Sequence, residues 1–416
     1  FVAVCVSHSM AAASGSSSWW GGWWSSTPAQ ETEVAYEVEE PSEGEAVPQA
    51  KATWQMDTTT KEQEKEWRQL LSGLARGYDV TKMLIPAGFL RPKSTLECLA
   101  AHMQHGKLLE AIPKAESDVD RLIAVTRWHI SGLIREVFDG KKPYNPVLGE
   151  TSVWAFDHGD AAVGKTKMVC EQVSHHPPIS ALYISNPALG IEVTGSMETG
   201  AKFNGNSIAV PFGDRKLTLT GSKEHYLMTM PTMQFRGLFF GSRGAEWVGK
   251  VVVWCKQTEL VCEMEFLPLG FLGMWGEWHR VTGHVRHHKK DNEALIWTIE
   301  GQWDQQLTLT HIASGATQVM YDFEEAAQTK ATPRVPSSKA PLPTDSMTVW
   351  GKVTAALLAG DVRTANVEKQ TVEQRQRDLR VKEKEMGEEF KPRWFAHKAG
   401  TWEATEEARL FQKNEM

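Results

Sequence analysis

Between about residue 150 and residue 325 the apolar positions of this chain recur at every second residue, in short runs separated by Gly, Asn and Asp. Met168-Val169-Cys170, Lys216-Leu217-Thr218-Leu219-Thr220, Val251-Val252-Val253-Trp254, Leu260-Val261-Cys262-Glu263-Met264 and Leu307-Thr308-Leu309-Thr310 are examples. A period of two is the signature of a strand with one face buried, and helices do not tolerate it. Many short strands with little helix between them predict an antiparallel meander closing toward a barrel. Helices are expected on both sides of it. Ser94 to His105 is one; Asp118 to Phe138 is another, with Leu122, Val125, Ile130, Leu133, Ile134 and Val137 at helical spacing. After a Pro-rich crossing at 331–345, a helix capped by Asp345 or Ser346 runs to Ala359 and stops at Gly360, and a charged helix spans Asp361 to Met386. The predicted fold is mainly β with flanking helices (α+β): a large, incompletely closed antiparallel β-barrel with a C-terminal helical region over 345–416.

Ahead of the barrel the pattern changes twice. Residues 1–60 hold a Ser/Gly/Trp segment and an acidic block, too poor in apolar surface to order themselves. Over 61–76, Trp67, Leu70, Leu71 and Leu74 make one apolar helical stripe, closed by Gly77. The extended apolar run Met83 to Leu90 follows, and 61–92 together suit a cover over a greasy cavity, with Leu84, Ile85, Phe89 and Leu90 as the lid residues. A helix docked permanently on a core is the plainer alternative. A barrel under an apolar strap can hold a hydrophobic ligand in a tunnel.

The 416 residues carry a net charge of -7, which suits neither nucleic acid nor an acidic bilayer as a general partner. An anion site must be built from a few local bases. Five cysteines with no CxxC pair read as reduced thiols of a cytoplasmic protein. No stretch approaches the roughly 18 apolar residues of a spanning helix, so contact with membranes is expected to be peripheral.

The most unusual segment is Glu171-Gln172-Val173-Ser174-His175-His176-Pro177-Pro178-Ile179-Ser180. Two prolines stiffen the backbone behind two adjacent imidazoles. A metal site would need partner ligands at HxxxH or CxxC spacing, and this segment has none. A hydrolytic arrangement of His175, Glu171 and Ser174 lacks a nucleophile elbow. An anion-binding pair asks least of the rest of the chain, and a structural turn is the plain alternative.

The run EQVSHHPPISA resembles the fingerprint of the oxysterol-binding-protein-related lipid-transfer family. Lys141-Lys142-Pro143-Tyr144-Asn145-Pro146-Val147-Leu148-Gly149-Glu150 is similar to its KKPxNPxLGE segment. Leu342-Pro343-Thr344-Asp345-Ser346, followed by Lys369, Glu373, Gln376 and Arg377, resembles its C-terminal pattern. The three lie in the family's order, and the likeness covers about residues 62–416. The resemblance implies a lipid-binding domain over 93–416 that is not an enzyme and needs no cofactor or metal. It implies phosphatidylinositol 4-phosphate as ligand, with Lys142 and Asn145 on the headgroup, His175 and His176 on the 4-phosphate, and Lys369, Glu373 and Arg377 completing the ring. A sterol or phosphatidylserine would compete for the same tunnel, at membrane contact sites. Glu136-Val137 stands where sterol-binding relatives carry an aromatic or polar residue, so the resemblance leaves the second lipid open. A lipid sensor that transfers little is the rival reading, and a hydrolase using His175 and Glu171 a more distant one.

Overall fold

A computed structural model describes residues 72–73, 89–133, 141–241, 244–270, 276–288, 294–328 and 342–416. The expected tail, the stripe of Trp67, Leu70, Leu71 and Leu74, the lid residues Leu84 and Ile85, the pair Glu136-Val137 and most of the Pro-rich crossing lie outside the described residues.

The chain enters on β1 (Leu90–Ser94), then α1 (Thr95–Cys98), a 3-10 turn (Leu99–Met103), α2 (Lys107–Lys114), α3 (Asp118–Ser131) and β2 (Lys142–Tyr144), which pairs parallel with β1. Then come β3 (Thr151–Asp157), β4 (Lys165–His175), β5 (Pro178–Asn186), β6 (Ile191–Glu198), β7 (Lys202–Phe203), β8 (Ser207–Val210), β9 (Arg215–Leu219), β10 (Glu224–Met228) and β11 (Thr232–Arg236). The meander continues through β12 (Gly244–Cys255), β13 (Leu260–Phe266), β14 (Arg280–His287), β15 (Leu295–Gln302), β16 (Gln306–His311) and β17 (Thr317–Asp322). The chain finishes on α4 (Phe323–Gln328), α5 (Ser346–Leu358), α6 (Val362–Met386), the hairpin β18 (Phe395–Lys398) and β19 (Thr401–Ala404), and α7 (Glu406–Glu415).

Twelve strands form one antiparallel path in the order β17-β16-β15-β14-β13-β12-β10-β9-β6-β5-β4-β3, with β7, β8 and β11 as a side flap on the first half of β12. Among the described residues β3 and β17 do not pair with each other, so the barrel is incompletely closed. Alternation along β9 and β13 turns Leu217, Leu219, Cys262 and Met264 inward, into one core with Leu122, Val125 and Trp128 of α3. Strands β4 and β5 are buried on both faces. Met168, Cys170, Leu182 and Ile184 face the interior, while Val169, Val173, Ala181 and Tyr183 pack under Trp394, Phe395 and Ala408. Trp394 and Phe395 therefore pack back onto the body.

The predicted meander and both C-terminal helices are present, Asp345 and Asp361 capping the helices with their side chains. Two helical expectations need correction. Residues 94–105 form one short turn and a 3-10 segment, because Gly106 lies so close under the Phe156 ring that a Cβ there would be 2.4 Å from it. The next helix stops at Ser131, with Gly132 as its C-cap, rather than at Phe138. A Cβ at Gly132 would meet the His102 ring at 2.2 Å, and this contact between elements is invisible in periodicity.

A second small core joins the N-terminal strand to the C-terminal helices: Leu90, Tyr144, Trp350, Val353, Ala356 and Ala365. At its base lies the fully buried Glu150. It accepts from Ser94 Oγ, from Ser346 Oγ (2.7 Å), from Trp350 Nε1 (2.8 Å) and from the Val147 amide (3.0 Å). The Gly-Glu and Thr-Asp-Ser motifs, two hundred residues apart, thus meet at one carboxylate. Burial raises the pKa of Glu150, against the pull of its donors.

Glu150→Ala would strand several buried donors at about 1–3 kcal/mol each, and a loss of at least about 3 kcal/mol in a denaturant titration is expected. Nearby, burial pushes Glu97 up to about 7, with Glu150 and Asp345 adding to it, and pushes Asp345 up to about 6. Both are protonated in the folded chain where the unfolded chain has ionised them. Their contribution to stability is complete below about pH 4 and is lost as pH rises through about 6 to 7. Glu97→Gln should therefore lose less stability than wild type between pH 5 and pH 8.

Candidate anion-binding site

The β1–β2 pair fixes the position of Lys142. Leu90 is opposite Lys142 and Ser94 opposite Tyr144; Thr95 Oγ1 donates to the Tyr144 carbonyl (2.9 Å), and the Tyr144 ring stacks on Trp350 at 4.7 Å. Leu90 is thus held in place, and Phe89 beside it is also buried. Lys142 itself meets water, yet its pKa is lowered by surrounding protein and by the ammonium of Lys369. Asn145, three residues on, is exposed.

His175 ends β4, and His176 begins the tight turn into β5 across a cis bond to Pro177. Their rings lie 4.7 Å apart at 61°. Burial, then His176 and Arg380, lower the pKa of His175, against the opposite pull of Glu373. Its Nδ1 is buried with no hydrogen-bond partner.

Helix α6 supplies the third side. Lys369 Nζ donates to Glu373 Oε1 at 2.6 Å, and Arg377 reaches Glu373 Oε2 at 3.6 Å. Lys369 and Glu373 are largely covered, at 17% and 27% side-chain exposure, whereas Arg377 stands at 60%. Ala365 is buried and 362, 366, 368, 369, 372, 373, 376, 380 and 383 are half-buried; 365, 369, 372, 373, 376, 380 and 383 among them follow an i, i+3/i+4 stripe. Arg377 lies at the edge of that stripe. Gln376 and Arg380 lie within it. Gln376 Nε2, Arg380 Nε and Arg380 Nη1 are buried donors without partners. Arg380 donates only through Nη2, to Glu383 at 2.8 Å, with its guanidinium 5.5 Å from the Phe390 ring. Burial lowers its pKa.

All three motifs therefore share one electrostatic neighbourhood: Lys142 senses Lys369, and His175 senses Glu373 and Arg380. Buried donors left unpaired on His175, Gln376 and Arg380 favour an incoming anion with several acceptor oxygens. Arg380 was not singled out from the sequence, although its spacing of eleven from Lys369 puts it on the same face. Glu171 is occupied elsewhere. Its Oε1 accepts the Arg393 amide (2.8 Å) and its Oε2 the Trp394 amide (2.7 Å), which docks the C-terminal segment on the outside of β4. A carboxylate held at both oxygens by the backbone is a poor partner for a hydrolytic His175.

A family model described as oxysterol-binding protein matches residues 67–415. The chain is 35% identical over 345 residues to oxysterol-binding protein 4 of Dictyostelium discoideum, covering 80% of this chain and 72% of that protein. It is 31% identical to oxysterol-binding protein-related protein 5 of Mus musculus and to related protein 8 of Homo sapiens, covering 82% of this chain but only 39% and 38% of theirs. In fold it resembles the Osh1 ORD domain in complex with ergosterol, with a TM-score of 0.67 at 24% identity over 83% of this chain and 88% of that one. It also resembles the Osh3 ORD of Saccharomyces cerevisiae in complex with PI(4)P, with a TM-score of 0.63 at 22% identity over 81% and 89%. The chain belongs to the oxysterol-binding protein family.

Proposed function

We propose that this protein binds a phosphoinositide, phosphatidylinositol 4-phosphate, by its headgroup and carries it between membranes in exchange for a second lipid, a sterol or phosphatidylserine. The observation that carries the reading is the convergence of Lys142, His175, His176 and Lys369 with unpaired donors of Gln376 and Arg380. Two lysines or arginines and a histidine that gains a proton balance a phosphate monoester of about -1.5 to -2 charge. Glu373 spaces Lys369 and Arg377 and is free to accept from inositol hydroxyls; Asn145 sits beside Lys142 for the same role. Relatives in this family were solved with PI(4)P and with sterols, which supports a common cavity for both. Acyl chains or sterol would fill the apolar interior, with Leu84, Ile85, Phe89 and Leu90 as cover, so that burial offsets the cost of leaving the bilayer.

Membrane contact has a plausible surface at the same end of the sheet. Strand direction puts the His175 end of β4, the end of β6 and the start of β12 on one side, and β11 runs past them to Phe239 and Phe240. These rings are 42% and 58% exposed. Asn206 braces their loop, accepting from both amides and donating to the Phe240 carbonyl. A stiff loop presenting two phenylalanines beside the headgroup site suits shallow insertion between lipids. No helix among the described residues is long and apolar enough to cross a membrane. Action in the cytoplasm, transiently at organelle surfaces, fits these features.

In extraction from liposomes containing phosphatidylinositol 4-phosphate, wild type is expected to remove the lipid and His175→Ala/His176→Ala to fail. Arg380→Gln is expected to weaken extraction roughly tenfold or more, since a charge-assisted hydrogen bond is worth about 1.5–3 kcal/mol. Competition by sterol or by phosphatidylserine in the same assay names the second cargo, and extraction by the histidine variant at the wild-type level overturns the headgroup reading. Phe239→Ala/Phe240→Ala should cut liposome sedimentation severalfold while leaving the fold, read by circular dichroism, unchanged.

A further inference from the structure

Inside the barrel lies a second cation that the headgroup reading does not use. Arg215 opens β9 on the inward face it shares with Leu217 and Leu219, and it is 5% exposed. Its row across the sheet runs from Gly195 to Leu182 to Cys170. On β4 that row is five residues from His175, roughly 16 Å at the rise of a strand. The neighbours in this row are apolar, and among the described residues no carboxylate lies within ion-pairing distance of the guanidinium.

What Arg215 does touch is His102. Its Nη1 and Nη2 approach Nδ1 at 3.1 Å and Nε2 at 2.6 Å of that one ring. Burial and the guanidinium itself hold the His102 pKa far below its usual value, so the ring is neutral. A neutral imidazole has one acceptor nitrogen and one N–H. Only one of the two contacts is therefore a hydrogen bond, and the other sets donor against donor. Burial pulls Arg215 itself down to about 9, which still leaves it cationic at neutral pH. His129, from α3, completes the group. Its Nε2 meets the Thr229 carbonyl at 2.8 Å and so carries the proton, which leaves Nδ1 as a buried acceptor with no partner. It too feels the charge of Arg215.

The backbone has been pared to admit these side chains. Gly195 stands opposite Arg215, where a Cβ would come within 2.9 Å of Arg215 Cγ, and Gly132 leaves the space occupied by His102. An arginine without counter-charge in an apolar interior is costly. A polar pair with one surplus donor set and one surplus acceptor is completed by a group that brings negative charge and oxygen.

We infer that Arg215, with His102 and His129, is an interior binding site for the carboxylate of a long-chain fatty acid, separate from the headgroup cluster. The acid enters with its own proton: its oxygens accept from Arg215, and that proton is shared with the acceptor Nδ1 of His129. The inference rests on the reading of the barrel as a lipid carrier, but it uses none of the residues of the phosphate cluster.

The test is equilibrium binding of radiolabelled palmitate and of its methyl ester to the full chain. It compares wild type, Arg215→Met and His175→Ala/His176→Ala. Palmitate is expected to bind wild type and the histidine variant alike, and to bind Arg215→Met at least tenfold more weakly. The methyl ester should not distinguish wild type from Arg215→Met. Equal palmitate binding by wild type and Arg215→Met overturns the inference, as does a methyl ester that binds wild type as tightly as the acid. Methionine keeps the length and apolar bulk of the side chain. Without ligand, Arg215→Met should unfold at the same or higher denaturant concentration; a variant that unfolds earlier makes Arg215 a structural residue and overturns the site. Phosphatidylinositol 4-phosphate extraction by Arg215→Met separates the two readings. Its persistence, with palmitate binding lost, is the expected result. Extraction absent in every variant, with Arg215-dependent palmitate binding intact, removes the headgroup reading and leaves this one standing.

Discussion

The architecture hangs on the burial of one carboxylate. Glu150 gathers donors from the N-terminal strand, from the turn after β2, and from the start of α5. A buried acid at this depth is tolerable only when its oxygens are satisfied, so the segments that satisfy it are held together. That junction sets where Lys142 stands and where α5 delivers α6. Gly149, in a left-handed conformation at φ 81°, lets the chain turn into this position while its amide bonds the Gln172 carbonyl of β4. The cluster of Lys142, His175 and Lys369 is thus assembled from three remote stretches, with the Glu150 network as their junction.

The acids and bases of the motifs divide their labour. Glu150 and Glu171 are structural: one binds the two ends of the domain, the other docks the C-terminal Trp394 and Phe395 against β4. His175, Gln376 and Arg380 are instead buried with polar atoms to spare. The carboxylates that hold the fold and the bases proposed to hold the ligand are therefore different members of the same short motifs. An overall charge of -7 does not conflict with an anion site, because desolvation around a few cations makes them count for more than the screened surface.

The interior follows a different logic from the mouth. At the mouth several cations share a ring with Glu373 among them. In the barrel a single guanidinium is set among neutral imidazoles and apolar side chains. The first arrangement pairs its charges near water; the second leaves one charge buried without a counter-ion among the described residues.

The sequence by itself determined the strands, because a period of two is a local property: each side chain of β9 or β13 must choose a face. It also determined the C-terminal helices, through the Asp345 and Asp361 caps and Gly387, which closes α6 at φ 68°. The resemblance carried Lys142, the histidine pair, Lys369, Glu373 and Arg377 as candidates. Tertiary structure decided what depends on contacts between remote segments. It shortened the helix at Gly132 to make room for His102, and it turned Glu171 outward onto backbone amides. It ranked Arg380 above Arg377 in burial, and it buried Arg215 against His102 among apolar neighbours. None of these is written in local spacing, because whether a charged side chain ends in water, in a pair or in an apolar interior depends on which distant strand or helix lies across from it.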